Sequence, residues 1–447
     1  MNTVKNTTTA AKYLPKQAPK HTPPGVRHAQ LLRALLCLVI TGFVLACVPL
    51  SAQGGSNYTV FGLGDLRRSV GAAYDGVGGS IYSTPFDNTI NAANPALWSD
   101  VKSTRLQGGY RFNQLRVTQN GSSVGNNNGK LDGAAVVFAL DTTEGISASI
   151  GIYPSSSVNY LFTKNVRVAL PDSGQYIQGT SAYGGSGGLN TGFLGASWAL
   201  SSRVSVGFSG LFHFGVITDK VETSLQSEGA LNSITTNLDQ LSAMGFTLGV
   251  QTRPAENLTI GGSLTINGSL TALSDLNYRT AQLGGAVTYD STISRSITSS
   301  MPSIFGVGAS YRKDRLLFTG DAELQVFNGM TYRTQAASSY EQATRFSIGL
   351  SRLGSRSAGA TYGDKMNLNA GLGMKTLYYS FFGNQITEQY GSVGVQMPFG
   401  GAAMVDAALV LGARGSTNNG GVQEMFARLS VTISVGEVWF VPFRREQ

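Results

Sequence analysis

The 447-residue chain is poor in the residues that carry chemistry. Its two cysteines, Cys37 and Cys47, both fall within the first 52 residues, and of its three histidines only His213 lies beyond them. Downstream of that leader there is no thiol for a disulfide or a thiolate metal site, and one imidazole does not build a zinc centre. His213 could act as the base of a membrane-embedded serine hydrolase; a single polar side chain hydrogen-bonded to a neighbour is the plainer reading. Gly62-Leu63-Gly64 is followed by Asp65-Leu66-Arg67, so a dinucleotide-binding fingerprint lacks its third glycine, and no P-loop is present. The expectation is a protein that is not an enzyme and uses no cofactor and no metal. Long apolar runs are missing too: after the leader no window reaches the roughly 18 residues of a membrane helix.

Charge is equally scarce. Asp, Glu, Lys and Arg make up 13% of the chain, where about 25% is usual for a soluble protein. Six of the 33 basic residues and none of the 25 acids lie in residues 1–52, so the rest is near balance. The basic isoelectric point therefore reports the leader, and nucleic acid is not an expected partner.

The leader has a basic stretch to Arg33, an apolar run over 34–50, and Ser51-Ala52 before Gln53. It reads as a secretory signal peptide, residues 1–52, cut after Ala52. Val44-Leu45-Ala46-Cys47 is a partial lipobox, which leaves a lipoprotein as an alternative.

What the chain does have is glycine, 57 residues of it, and alternation. From Val101 onward, segments about ten residues long alternate apolar with small or polar residues, the pattern of an all-β transmembrane antiparallel barrel. Met425, Ala427, Leu429, Val431, Ile433 and Val435 share one face; Phe426, Arg428, Ser430, Thr432 and Ser434 share the other. Arginine at the midplane of a lipid-facing wall costs about 2–4 kcal/mol, so the second face is expected to look into the lumen. Trp439 and Phe440 then fit an aromatic girdle. In a second segment Val204, Val206, Phe208, Phe212, Phe214 and Val216 face out, with Ser205, Ser209 and His213 facing in. Asp321 and Glu323 share an inward face, where arginines such as Arg105 or Arg111 are expected to meet them.

About fourteen strands are expected, joined alternately by short and long links. The short links fall near 141–144, 201–202, 253–256, 313–314 and 398–401, with 354–364 a longer exception. The long links are expected at 154–186, 222–240, 273–301 and 329–341. Short turns face the periplasm in such barrels. In 229–241, Leu231, Ile234, Leu238 and Leu241 fall at helical spacing, which predicts a loop helix with a ligand-gathering apolar face. Loops packed together as a lid are the plainer alternative.

Residues 53–100 break the alternation. Gly62, Gly64, Gly71, Gly76, Gly78 and Gly79 suit an irregular backbone, and Asn94-Pro95-Ala96-Leu97 ends it. This segment is expected to plug the barrel formed by 101–447 from the periplasmic side, as a hatch. A lumen so filled is a poor channel for water, ions or sugars.

The run GLGDL…GAAYDG…NTINAANPAL, followed by the first strand, resembles the N-terminal hatch of the FadL/TodX family of outer-membrane transporters for hydrophobic compounds. Asn94-Pro95-Ala96 matches that family's NPA motif, and the ending SVGEVWF looks like Bacteroidetes-type members. The resemblance implies passive outer-membrane transport of long-chain fatty acids or aromatic hydrocarbons, with hydrophobic small molecules and outer-membrane lipid as partners. It also implies Asn94, Pro95 and Ala96 as hatch residues and lateral exit at a kink in the third strand. That strand is expected at 146–153, with Gly151 and Pro154 marking the kink, although Pro154 could simply end it. The alternative function is an accessory barrel in a secretion or outer-membrane assembly complex.

Overall fold

A computed structural model describes residues 55–437 apart from 69–70, 87, 170–174, 228–229, 283–286, 335–337, 382, 401 and 419–420. The expected signal peptide and the expected girdle at Trp439-Phe440 lie outside the described residues, as does Gly229. After a two-residue strand, β1 (Asp65–Leu66), come β2 (Thr104–Gln119), β3 (Ser122–Asp141), β4 (Ile146–Pro154), β5 (Ser156–Ala169), β6 (Tyr176–Ala199) and β7 (Val204–Leu225). Next are β8 (Leu231–Ala255), β9 (Leu258–Asn267), β10 (Ser269–Gln282), β11 (Val287–Ser300), β12 (Ser303–Lys313) and β13 (Leu316–Val326). The last are β14 (Ser338–Tyr340), β15 (Ala343–Arg352), β16 (Asn367–Phe381), β17 (Asn384–Pro398), β18 (Ala403–Gly415) and β19 (Gln423–Glu437). β4/β5, β9/β10, β11/β12 and β14/β15 are each two pieces of one crossing, so the wall is a 14-strand antiparallel barrel. It closes where β19 pairs with β2, from Gln423 opposite Thr118 to Glu437 opposite Thr104.

Alternation decides which way each side chain points. On β19, Met425, Ile433 and Val435 are exposed while Ser430, Thr432 and Ser434 are buried. Arg428 is on the inward face, its Nε donating to Asn113 Oδ1 at 2.9 Å. On β7, Phe208, Phe212, Phe214 and Val216 are exposed, and Ser205, Ser209 and His213 are buried. An apolar face bare of protein, on a wall that closes on itself, is a lipid face.

The expected long loops are a correction. Most of 154–186, 222–240 and 273–301 is strand, and Asn120-Gly121, both at positive φ, makes the tight hairpin turn between β2 and β3. β6 is 24 residues long, roughly 80 Å at about 3.3 Å per residue, where the apolar band of such a wall is about 25 Å tall. The ladders therefore continue past the bilayer as projecting sheet. The predicted loop helix at 229–241 is likewise strand. Residues from Leu231 on pair with β10 on one side, and those from Ser233 on with β7 on the other. Ser233-Ile234-Thr235-Thr236 contains three β-branched residues, which suit a pleated ladder better than a helix.

The described residues between 55 and 101 hold two short 3-10 turns, Asn57–Val60 and Pro95–Asp100, and one helical turn, Ala72–Gly76. They touch β5, β7, β8, β16, β17, β18 and β19. A segment that reaches strands on all sides of a closed ring lies inside it.

Candidate functional site

The site is the filled lumen. At its short-turn end the Asn94 side chain caps the Pro95–Asp100 turn, its Oδ1 accepting from Ala96 N at 3.1 Å, with proline in the first turn where its missing N–H costs nothing. Asn94 Nδ2 donates to Tyr82 O at 2.8 Å and to Val250 O in the wall at 3.2 Å. The wall meets this motif with Gly207 on β7, Gly249 on β8 and Gly261 on β9; a Cβ at any of them would overlap the backbone or side chains of Tyr82, Asn94, Pro95 or Ala96. Across the bore Gly349, Gly371 and Gly394, on β15, β16 and β17, do the same for the backbone of 76–78. The hatch backbone is thus seated between two bare patches of wall.

Mid-lumen the contacts are charged. Asp132 is fully buried and pairs with Arg67 and, at 3.3 Å, with Arg111. Arg111 also pairs with Asp75 at 2.5 Å, and Ser430 donates to the same carboxylate at 2.7 Å. Burial alone would raise the Asp75 carboxyl, but the guanidinium groups of Arg111 and Arg67 hold it below the usual carboxylate range. Arg414 joins Asp65 at 2.8 Å, Glu424 at 2.7 Å and Glu388 at 3.5 Å. Arg345 pairs with Glu323 at 3.0 Å, and Tyr82 donates its hydroxyl to the same carboxylate. Burial and that negative neighbour raise the Tyr82 hydroxyl, keeping it a neutral donor. Asp321 accepts from the backbone of Ile81 and of Tyr82, the latter at 3.0 Å. The expected partners for this pair, Arg105 and Arg111, are corrected: Glu323 sits opposite Arg345 in the β13–β15 register, while Arg105 bonds Ser434 at 3.1 Å and Ala402 O at 3.3 Å.

Toward the long-hairpin end the lumen turns apolar. Tyr58, Phe61 and Leu63 pack with Leu241, Phe327, Tyr332, Tyr378 and Tyr379, and the rings of Phe327 and Tyr378 stack at 4.3 Å. Leu241 is buried there, Leu231 is exposed, and Ile234 and Leu238 are half-buried, so the four share no common face. His213 is engaged at both ring nitrogens, by Thr191 at 2.8 Å and Asn267 at 3.0 Å. Among the described residues no group of three His, Cys, Asp or Glu is placed to hold a metal ion.

The wall itself changes at the third crossing. β4 pairs with β3 only as far as Ile152 opposite Ala134. Gly151 lies inside β4 opposite Ala135, and Pro154 is its last residue. Beyond Ser155, β5 pairs with β6 and, at Ser156 and Ser157, with the hatch strand β1. Arg67 N donates to Ser155 O at 2.9 Å, and Lys130 Nζ reaches across from β3 to Ser157 Oγ at 2.8 Å. A register shift on β2 opposite Asp132, with Gly133 at φ 113°, turns the Asp132 carboxylate inward beside this break. Outside it lies a cleft of about 890 Å³, lined by Tyr110, Leu131, Ile152, Val216, Val431 and Ile433 among others. Sequence reasoning missed Asp132 and the wall glycines; the only signal was glycine at inward positions of several strands.

No curated protein matches the chain in sequence. Among solved structures it resembles the toluene transporter TodX of P. putida, at 14% identity and TM-score 0.55 over 84% of this chain and 100% of that one. It also resembles the Ralstonia pickettii toluene transporter TbuX, at 14% identity and TM-score 0.53, over 83% and 98% of the two chains. A Pseudomonas aeruginosa FadL homologue is similar at 11% identity and TM-score 0.54, again over 83% and 98%. These likenesses establish the barrel fold; a closed barrel with an apolar outer face belongs in the bacterial outer membrane. The BamG family model matches residues 34–445.

Proposed function

The chain belongs to the BamG family, and from that premise we propose that it serves as an accessory barrel of a larger outer-membrane assembly complex. One observation carries the reading: the bore is closed at mid-height by ion pairs between hatch and wall. Arg67–Asp132, Asp75–Arg111 and Asp65–Arg414 each join the two. Separating a buried pair costs about 3–5 kcal/mol where one charge is left alone, and an apolar permeant replaces none of these contacts. The family's name points the same way, toward a complex. Purification of the tagged protein from native membranes in mild detergent tests it. Stoichiometric recovery within one larger assembly is expected; recovery as a lone barrel at every detergent concentration sinks the reading.

A second reading is favoured by a different observation, the break after Pro154 and the apolar cleft outside it. In it the protein passively transports hydrophobic small molecules, such as long-chain fatty acids or aromatic hydrocarbons. Asn94, Pro95 and Ala96 then belong to a moving hatch, and Gly151–Pro154 to a lateral exit. Its test is whether deletion slows uptake of labelled oleate or toluene into whole cells.

A further inference from the structure

The short-turn mouth of the barrel contains a second cavity, a recess of about 540 Å³ between the hatch and the turns after β8, β12 and β15. Its floor is apolar, with Phe86, Leu317 and Met404 buried among its lining residues. Its rim is basic: Arg253, Arg312, Arg315, Arg356 and Lys365 line it, with Glu256 as its one carboxylate. Asp100 pairs with Arg253, and Asp364 lies 3.9 Å from Arg315. With those two pairs and Arg356 set aside, Arg312 and Lys365 face Glu256 alone. Gln396 lines the same recess at 1% exposure; its Oε1 accepts from Asn367, while its Nε2 donor has no partner. A buried amide N–H without an acceptor is a site that a ligand oxygen completes.

We propose that this recess docks an acidic peptide segment of a periplasmic partner protein. Carboxylates meet the rim guanidinium groups, one carboxylate oxygen accepts from Gln396 Nε2, and an apolar side chain covers Phe86 and Leu317. The inference rests on the accessory-subunit reading and says where the complex holds this barrel. A conduit role is disfavoured because the hatch roofs the recess. A lipid headgroup is disfavoured because Thr259 and Ser310, which line it, are buried on the inward face of the wall, away from the bilayer.

The test uses the full chain in neutral-lipid nanodiscs and a fluorescein-labelled peptide of alternating glutamate and leucine, read by fluorescence polarisation, with a lysine–leucine peptide as control. The acidic peptide is expected to bind and the control not. R312E/K365E, on the rim, weakens binding by about tenfold, and Gln396→Leu, which leaves the net charge unchanged, by about fivefold. Equal binding of the two peptides overturns the proposal. So does an unchanged affinity in Q396L, which would reduce the site to diffuse charge. So does displacement of the peptide by phosphatidylglycerol vesicles as readily as by unlabelled peptide, which would make it a lipid site. Native co-purification separates this inference from the reading beneath it: if R312E/K365E still recovers the assembly intact, the recess is not the contact while the subunit role stands; if wild-type protein recovers none, the subunit role itself fails.

Discussion

At the scale of single residues, the lumen turns on Asp132. It faces two guanidinium groups, Arg67 from the hatch and Arg111 from β2, and has no exposed surface. Asp132→Ala would leave the largely buried Arg67 without that carboxylate. The expected loss is about 3–5 kcal/mol, seen as a lower temperature for loss of the compact, heat-modifiable band on a denaturing gel. Asp132→Asn keeps the shape and removes the charge, so it should fall nearly as far if pairing is the cause; a wild-type profile for both would show the pair to be idle. That Asp321 and Glu323 share a face could be read from their spacing, because two residues apart in a strand always do. Their partners could not, because Arg345 reaches Glu323 through a register between strands. Asp132 was hidden for a related reason: a bulge beside Gly133 breaks the two-residue alternation that would have located it.

At the scale of elements, wall strands were legible and their ends were not. Alternation marks where a strand crosses lipid, since only there are its two faces held in opposite environments. Past the bilayer both faces of a hairpin meet water, and the signal fades while the hydrogen-bond ladder continues. β11 shows it: Asp290, Ser291, Thr292 and Ser294 lie in a strand that is largely exposed on both faces. Helical spacing in 229–241 misled for the same reason, because apolar residues on a two-sided wet strand carry no enforced period. Glycine and turn residues mark 53–100 as irregular backbone, but not where it seats, which needs Gly207, Gly249 and Gly261 aligned from three strands. Gly249→Val tests that seat. The new side chain would occupy the space of Asn94 and Pro95 without touching the lipid face, so the barrel should still fold while 94–100 is pushed off the wall. Raised single-channel conductance in planar bilayers and new proteolytic cleavage before Val101 are expected. Conductance and cleavage at wild-type levels would mean that the hatch tolerates the loss of its cradle.

At the scale of the whole molecule, the bore is stacked in zones: small residues against the hatch at the short-turn end, ion pairs at mid-height, aromatic packing beneath the long hairpins. The hatch runs through all three, from Asp100 joined to Arg253 at one end to Tyr58 bonded to Val422 at the other. The expected stopper is therefore more of a rod, and β1 makes it part of the wall by pairing with β5 where β3 has let go. The barrel class follows from alternation, whereas this pairing depends on a two-residue strand that no periodicity could expose. It also provides a test that divides the two functions. Leu66 and Ser156 are direct partners across β1 and β5, within the Cα separation a disulfide spans. Residues 53–447 contain no native cysteine, so within them L66C/S156C can form only one intramolecular bridge, and the periplasmic side is oxidising enough to form it. If the hatch is a fixed part of a subunit, the bridged protein should assemble and support growth like wild type, with or without reductant. If the hatch must leave β5 to release a hydrophobic ligand, oxidation should stop uptake and reductant restore it. Reductant-dependent uptake would therefore overturn the sealed-barrel reading, because ion pairs that open on demand are a gate.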